Sequence, residues 1–342
     1  MMQVVYSTQH RLHATGEVEY EGHPFLSYEV PARAEAILAA VQAAGLGPVV
    51  EPRGCGIGPI LAVHDEGYVR FLREVYAQNA AYFGRAGPVF TETFATRLPG
   101  RRPQHFLALK GYYAFGFGSP ILEGTWEAAY WAAQCALTAA GLVGSGEARA
   151  AYALCRPPGH HAAADLYGGY CYLNNAAIAA RALQARGNRV AIVDVDYHHG
   201  NGTQAIFYSD PSILYTSLHA DTTDEYPFYW GACDERGEGP GLGCNFNFPL
   251  PQGTGDAGYL ETLEQAVAEV ARFAPHRLVI SLGLDTVEGD AEGGFCLTRA
   301  GLAAVGRRLA ALNLPAVIVQ EGGYQVDRLG EDAAAFLAAF AG

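Results

Sequence analysis

Short apolar runs recur along the chain and stop abruptly at polar residues. VAIV at residues 190–193 stops at Asp194, and the run that begins RLVISL at residue 277 reaches Asp285. AVIV at residue 316 leads into QEGGY, and AYAL at residue 151 leads into CRPPGHH. Residues 3–6 read as a first strand of the same kind. Unbroken apolar runs of this length suit strands buried on both faces, as in a parallel sheet. Between them, helical patterns cover residues 32–44, 68–76, 126–142, 174–186, 262–273 and 302–312, and Gly45 and Gly187 close two of them. From residue 151 onward strands and helices alternate, which predicts an α/β fold with a mostly parallel central sheet and helices on both faces. Neither an internal repeat nor a Ser- or Pro-rich linker divides the chain, so residues 1–342 are expected to form one domain. Residues 77–124 break the rhythm and read as a long irregular insertion, whose aromatic content argues against disorder.

The strand ends carry the chemistry. In RVAIVDVDYHHGNG the run from Val190 ends in Asp194, Asp196, His198 and His199. Side chains alternate along a strand, so Asp194, Asp196 and His198 start out on one side. Two carboxylates and an imidazole suit a divalent cation such as zinc. A polar loop whose carboxylates cap the next helix is the other reading of that segment. His160 and His161 follow a rigid turn, because Pro157 and Pro158 forbid regular pairing. Asp285 ends a further run, and Tyr324 follows Gly322-Gly323, where backbone can approach a ligand closely. In an open α/β sheet such ends meet at one crevice.

Composition narrows the setting. The chain is 50% hydrophobic and 17% charged, as a large buried core requires. Its net charge is −13 and Lys110 is its one lysine, which disfavours nucleic acid and anionic membranes and favours cationic or neutral small substrates. The N-terminus has no signal-peptide pattern and no apolar run reaches membrane-spanning length. Seven cysteines without a CxxC pair argue for a reducing cytoplasm.

Residues 156–161, 194–202, 281–285 and 321–324, with GGYCYLNNAAIAA from residue 168 and SLH from residue 217, resemble the histone deacetylase superfamily. The likeness extends over nearly the whole chain and is greatest to the bacterial acetylpolyamine amidohydrolases. It implies an arginase/deacetylase-like fold and a zinc-dependent amidohydrolase that removes an acetyl or acyl group from a small amine. Asp196, His198 and Asp285 would hold the metal, with Zn²⁺ the default and Fe²⁺ or Co²⁺ possible. Three protein ligands leave a position open for water and substrate. Asp194 would orient His160 and Asn201 would orient His161. A carboxylate raises imidazole basicity more than an amide does, so the two histidines should differ in pKa. His161 would act as general base and then acid, and Tyr324 would donate to the developing oxyanion. Asp194, Ser217 and Leu218, with backbone oxygens of Asp196 and His198, would form a structural K⁺ site. Tyr170 and Tyr226 would wall the substrate tunnel. The insertion at residues 77–124 would shape the tunnel mouth and complete a homodimer.

The chain departs from the family at one point: Phe106-Leu107 stands where related polyamine enzymes carry an acid. Glu17, Glu19 and Asp224 are the remaining candidates to meet a cationic tail, and residues 288–295 (EGDAEGGF) are unusually acidic. Deacylation of acetyl-lysine proteins or of N-acyl amino acids stays open. An arginase-type enzyme would need a second metal and more carboxylates near Asp285. An inactive binding module is hard to reconcile with the intact set of His160, His161, Asp196, His198, Asp285 and Tyr324.

Overall fold

A computed structural model describes residues 2–95 and 101–342. The strands are β1 (Gln3–Tyr6), β2 (Glu19–Tyr20), β3 (His23–Pro24), β4 (Val49–Val50), β5 (Ala150–Leu154), β6 (Val190–Asp194), β7 (Ile213–Ala220), β8 (Asn245–Leu250), β9 (Arg277–Leu282) and β10 (Ala316–Gln320). All but β2 and β3, a small antiparallel pair, join one eight-stranded sheet in the order β4-β1-β5-β10-β9-β6-β7-β8. Every pairing in that sheet is parallel.

The apolar runs owe their unbroken character to burial on both faces. Val190 and Ile192 point into one core layer, and Ala191 and Val193 into the other. The first layer packs against α3 (Glu66–Phe83), α5 (Thr125–Ser145) and α6 (Asn175–Gln184). The second packs against α1 (Ala32–Ala43), α8 (Asp256–Phe273), α9 (Arg299–Ala310) and α10 (Val326–Ala341). The shorter helices are α2 (Gly58–Leu61), α4 (Phe106–Tyr112) and α7 (Asn201–Phe207). No helix among the described residues is long and apolar enough to cross a membrane.

Three expectations need correction. The irregular stretch does not begin at residue 77: α3 runs on to Phe83 and stops where Gly84 takes a left-handed conformation, φ 66°. Its last turns carry Gln78 and Asn79, which dilute the apolar pattern without breaking the helix. The insertion also holds a helix, α4, and Phe106 at its start is buried against Tyr82. The strands β2, β3, β4, β7 and β8 were not anticipated, and in β8 the residues Asn245, Asn247 and Pro249 interrupt the apolar pattern.

Asn174 caps α6 and ties it to the site. Its Oδ1 accepts from the Ala177 N–H at 2.9 Å, while its Nδ2 donates to the Ala162 carbonyl and the Thr203 hydroxyl, both at 3.0 Å. The side chain is fully buried. Asn174→Ala is expected to destabilise the fold by about 2–3 kcal/mol, a lost cap plus unpaired buried groups. The urea midpoint measures this, and an unchanged midpoint would show the cap to be dispensable.

Candidate metal centre and its cavity

Strands β5, β10, β9 and β6 are consecutive neighbours in the sheet, so four chemically distinctive strand ends lie side by side. β6 ends at Asp194, and Asp196 and His198 lie beyond it. Strand alternation therefore does not align the three side chains; local turns do. Asp194 Oδ1 accepts from the Asp196 N–H at 3.2 Å, and Asp196 Oδ1 accepts from the His198 N–H at 2.9 Å. Asp194 then faces His160, while Asp196 and His198 face Asp285, which stands on the turn after β9.

His198 Nδ1 lies 3.3 Å from both Asp196 Oδ1 and Asp285 Oδ2. One donor atom from each residue falls within 4.8 Å of the others, the only such donor cluster found among the described residues. Asp285 Oδ1 accepts from the Tyr197 N–H at 2.9 Å, but the buried Asp285 Oδ2 has no hydrogen-bond partner there. Burial and the facing Asp196 charge push the Asp285 carboxyl up to about 7. Burial acts the same way on Asp196, but the His160 and His198 imidazoles outweigh it and hold that carboxyl low. Two buried carboxylates and an imidazole aimed at one point fit a divalent cation, which would offset the repulsion between the acids. Two glycines make room. A Cβ on Gly283 would stand 2.2 Å from Asp196 Oδ2, and one on Gly322 would stand 2.1 Å from Asp285 Oδ2. The Gly322 N–H donates to Asp196 Oδ2 at 2.9 Å.

The adjacent histidines have different partners. His160 Nδ1 is 3.1 Å from Asp194 Oδ2, and His161 Nδ1 is 2.7 Å from Asn201 Oδ1. Their ring centroids are 4.1 Å apart. Burial would depress His160, but the Asp196 and Asp194 carboxylates prevail and push it up to about 10. Burial, then the neighbouring His160 and His198, drive His161 well below its ordinary value. The turn bearing this pair is fastened by Glu321, whose Oε2 accepts from the Gly159 N–H at 2.6 Å and the His160 N–H at 3.1 Å.

His161, His198 and Tyr324 line a cavity of about 250 Å³ whose walls include Phe117, Tyr170, Tyr226 and Glu292. The Tyr226 ring meets His161 edge-on at 5.0 Å. Tyr324 is 8% exposed, and its N–H donates to Asp290 Oδ2 at 2.7 Å. The Arg33 guanidinium lies 4.6 Å from its ring centroid and donates to the Gly323 and Glu321 carbonyls. Burial raises the Tyr324 phenol well above 10 although Arg33 opposes it.

The other sequence candidates separate. Ser217 stands opposite Asp194 in the β6–β7 register, and its hydroxyl pairs with His219 Nδ1 at 2.7 Å. Leu218 is buried in the core beside it. His199 points away from the donor cluster to Gln204 Oε1 at 3.1 Å. Glu19 borders other surface depressions and Asp224 is exposed, so neither lines the cavity. The side chain of Glu17 lies outside the described residues. Sequence reasoning assigned nothing to Glu292, Asp290, Glu321 or Arg33. The acidic run at residues 288–295 was the signal for the first two.

The histone deacetylase domain family matches residues 27–340. Acetylpolyamine amidohydrolase 1 of Pseudomonas aeruginosa is 45% identical over 346 residues, covering 99% of this chain and 98% of the relative. The acetylpolyamine amidohydrolase of Burkholderia pseudomallei is 47% identical over 319 residues, 93% of each chain. A crystal structure of acetylpolyamine aminohydrolase from Burkholderia pseudomallei superposes with a TM-score of 0.93 at 44% identity, covering 99% of this chain and 98% of that one. The sheet, the four adjacent strand ends and these full-length likenesses place the chain in the histone deacetylase family.

Proposed function

We propose that this chain is a divalent-metal-dependent amidohydrolase that removes the acetyl group from small N-acetylated polyamines. The observation that carries the reading is the Asp196–His198–Asp285 cluster at the floor of a narrow cavity, with His161 and Tyr324 beside it. Similarity to acetylpolyamine amidohydrolases over the full length supports the substrate class. Zn²⁺ suits two carboxylates and an imidazole with one position left open, and Fe²⁺ or Co²⁺ suits the same donors. When bound there, the metal polarises the amide carbonyl and lets water attack near neutral pH.

The protein's own groups then divide the proton work. His161, uncharged at neutral pH, accepts the proton from the attacking water and returns it to the leaving amine. His160, held as imidazolium by Asp196 and Asp194, keeps its charge beside His161. Asn201 fixes the tautomer of His161 by pairing with its Nδ1. Tyr324, protonated throughout the neutral range, donates to the oxygen as negative charge develops. Asp194, Ser217 and Leu218, with the Asp196 and His198 carbonyls, are proposed to hold a structural K⁺ beneath the site, oxygen donors suiting a hard cation.

The chain is further proposed to act as a single catalytic domain over residues 1–342 and as a homodimer, with residues 77–124 narrowing the mouth. Phe117 of that segment already borders the cavity. All seven cysteines are free, in keeping with a reducing cytoplasm. Deacylation of folded proteins is the second reading, and an insertion that narrows the mouth would disfavour it.

Turnover of N-acetylcadaverine against N-pentylacetamide, which lacks the terminal ammonium, tests the reading. The net charge of −13 should draw in the cation, so the advantage of N-acetylcadaverine in kcat/KM is expected to shrink as salt rises. Failure to hydrolyse either compound, with metal bound, would remove the amidohydrolase assignment.

A further inference from the structure

Tyr324 ends a segment with little rigidity of its own. Gly322 and Gly323 precede it, and Gly323 takes φ +111°, a conformation that favours glycine. The one hydrogen bond that Tyr324 donates among the described residues comes from its N–H and goes to Asp290 Oδ2, at 2.7 Å. Packing holds the ring, with the Arg33 guanidinium over its face and the Tyr170 ring centroid 5.7 Å away. The place of the hydroxyl therefore depends on where the backbone at residue 324 is fixed.

Asp290 fixes it. The residue is buried, and both oxygens of its carboxylate are engaged. Oδ2 accepts from the Tyr324 and Gln325 N–H groups at 2.7 and 3.0 Å, and Oδ1 accepts from the Glu292 N–H at 3.0 Å. One carboxylate thus ties the turn after Asp285 to the turn that bears Tyr324. The two turns meet again where the Leu284 N–H donates to the Gly322 carbonyl at 3.1 Å. Gln325 stands at the amino end of α10, and its own side chain makes no cap there. The Asp290 carboxylate takes the amides just ahead of the helix instead, at an end where the helix dipole favours an anion. Asp290 neither lines the cavity nor belongs to the donor cluster, and none of the proposed chemistry uses it.

We propose that Asp290 is the positioning residue of the oxyanion donor: by clasping the Tyr324 amide it sets where the Tyr324 hydroxyl meets the substrate oxygen. This rests on the amidohydrolase reading of the same site and adds the group that makes its tyrosine effective. Catalytic groups must be held within about 0.5 Å and 10–20° of the productive geometry. A misplacement of about 1 Å costs on the order of 10²-fold in rate. An amide at position 290 keeps the shape of the side chain but exchanges one of its two acceptor atoms for a donor. It cannot serve the Glu292 N–H on one side and the Tyr324 and Gln325 N–H groups on the other, so the two turns lose their common anchor.

A double-mutant cycle tests this. kcat and KM for N-acetylcadaverine are measured for wild type, Asp290→Asn, Asp290→Ala and Tyr324→Phe, and for each Asp290 change combined with Tyr324→Phe. All proteins are loaded with Zn²⁺ and checked for metal content and urea midpoint. Both Asp290 variants are expected to bind metal normally and to lose about 10–100-fold in kcat with little change in KM. In the Tyr324→Phe background the same changes should cost no more than about twofold further, the scatter of uncoupled substitutions. Binding of a trifluoromethyl ketone analogue of N-acetylcadaverine, which hydrates to a tetrahedral diol, gives a readout without turnover. Its affinity should fall in Asp290→Asn by a factor similar to that in kcat. An equal loss of kcat in both backgrounds overturns the inference, because Asp290 then acts through something other than Tyr324. So do an unchanged kcat, an unchanged affinity for the analogue, and a loss of metal, which would place its action on Asp285. Failure of both single variants to fold overturns it as well and makes Asp290 a structural residue. All these results leave the amidohydrolase reading standing. If wild type with metal bound hydrolyses no N-acyl amine, that reading falls, and the inference falls with it.

Discussion

Asp285→Ala is expected to strip the protein of its bound metal and, with it, of nearly all hydrolysis. The change removes one of three clustered donors, and the one whose buried Oδ2 has no partner among the described residues. Loss of an outer partner of a metal ligand already costs about 10–100-fold in metal affinity, so loss of a ligand should cost more. The fold should survive, because Asp285 stands on a turn after β9 rather than within the sheet. Its one structural bond, from the Tyr197 N–H, leaves a buried donor unpaired, a penalty of about 1–3 kcal/mol. Elemental analysis and circular dichroism separate the two effects. A well-folded variant that keeps its metal and its turnover would show that the ligands lie elsewhere.

Tyr324→Phe should act in the opposite manner, leaving the metal in place and slowing the chemistry. Removing one donor to a developing oxyanion costs about 10²–10³ in kcat. The aromatic ring, its contact with Arg33 and the backbone bond to Asp290 all remain, so KM and metal content should change little. The loss should be uniform through the neutral pH range, since the phenol stays protonated well above it. A kcat equal to that of wild type would make Tyr324 a packing residue and would leave the oxyanion without its protein donor.

The strands that bear the chemistry were legible because they are buried on both faces and read as unbroken apolar runs. The residues after them were legible for the opposite reason: charged groups directly after such a run have few uses other than a site. The alignment of Asp194, Asp196 and His198 was misread because β6 stops at Asp194, and a turn stabilised by side-chain acceptors looks the same in sequence as a continuing strand. Strand β8 was missed because two buried asparagines interrupt its apolar pattern. Glu292 was seen only as part of an acidic run. Protein atoms press against both of its neighbours, Gly293 and Gly294, and the sequence gives no sign of those contacts. Arg33 and Glu321 were illegible for a further reason. Their partners lie hundreds of residues away in one case and across the sheet in the other, and such pairings leave no local trace.

The order of the strands bears on how the molecule is made. β9 and β10, from the last quarter of the chain, insert between β5 and β6, which are synthesised much earlier. Until they arrive, the middle of the sheet has a gap. Asp285, Glu321 and Tyr324 come with these strands, so Asp196 and His198 wait without Asp285, and the turn bearing the histidine pair waits without Glu321. Long-range parallel pairing is slow to form, and domains of this size commonly pass through intermediates. With the proposed ligand set, a ribosome-bound fragment that lacks Asp285 could not hold a metal as the finished chain would. On that ligand set metal uptake would be a late event that reports completion of the sheet, and a metal that bound only the native state would hold it closed by mass action.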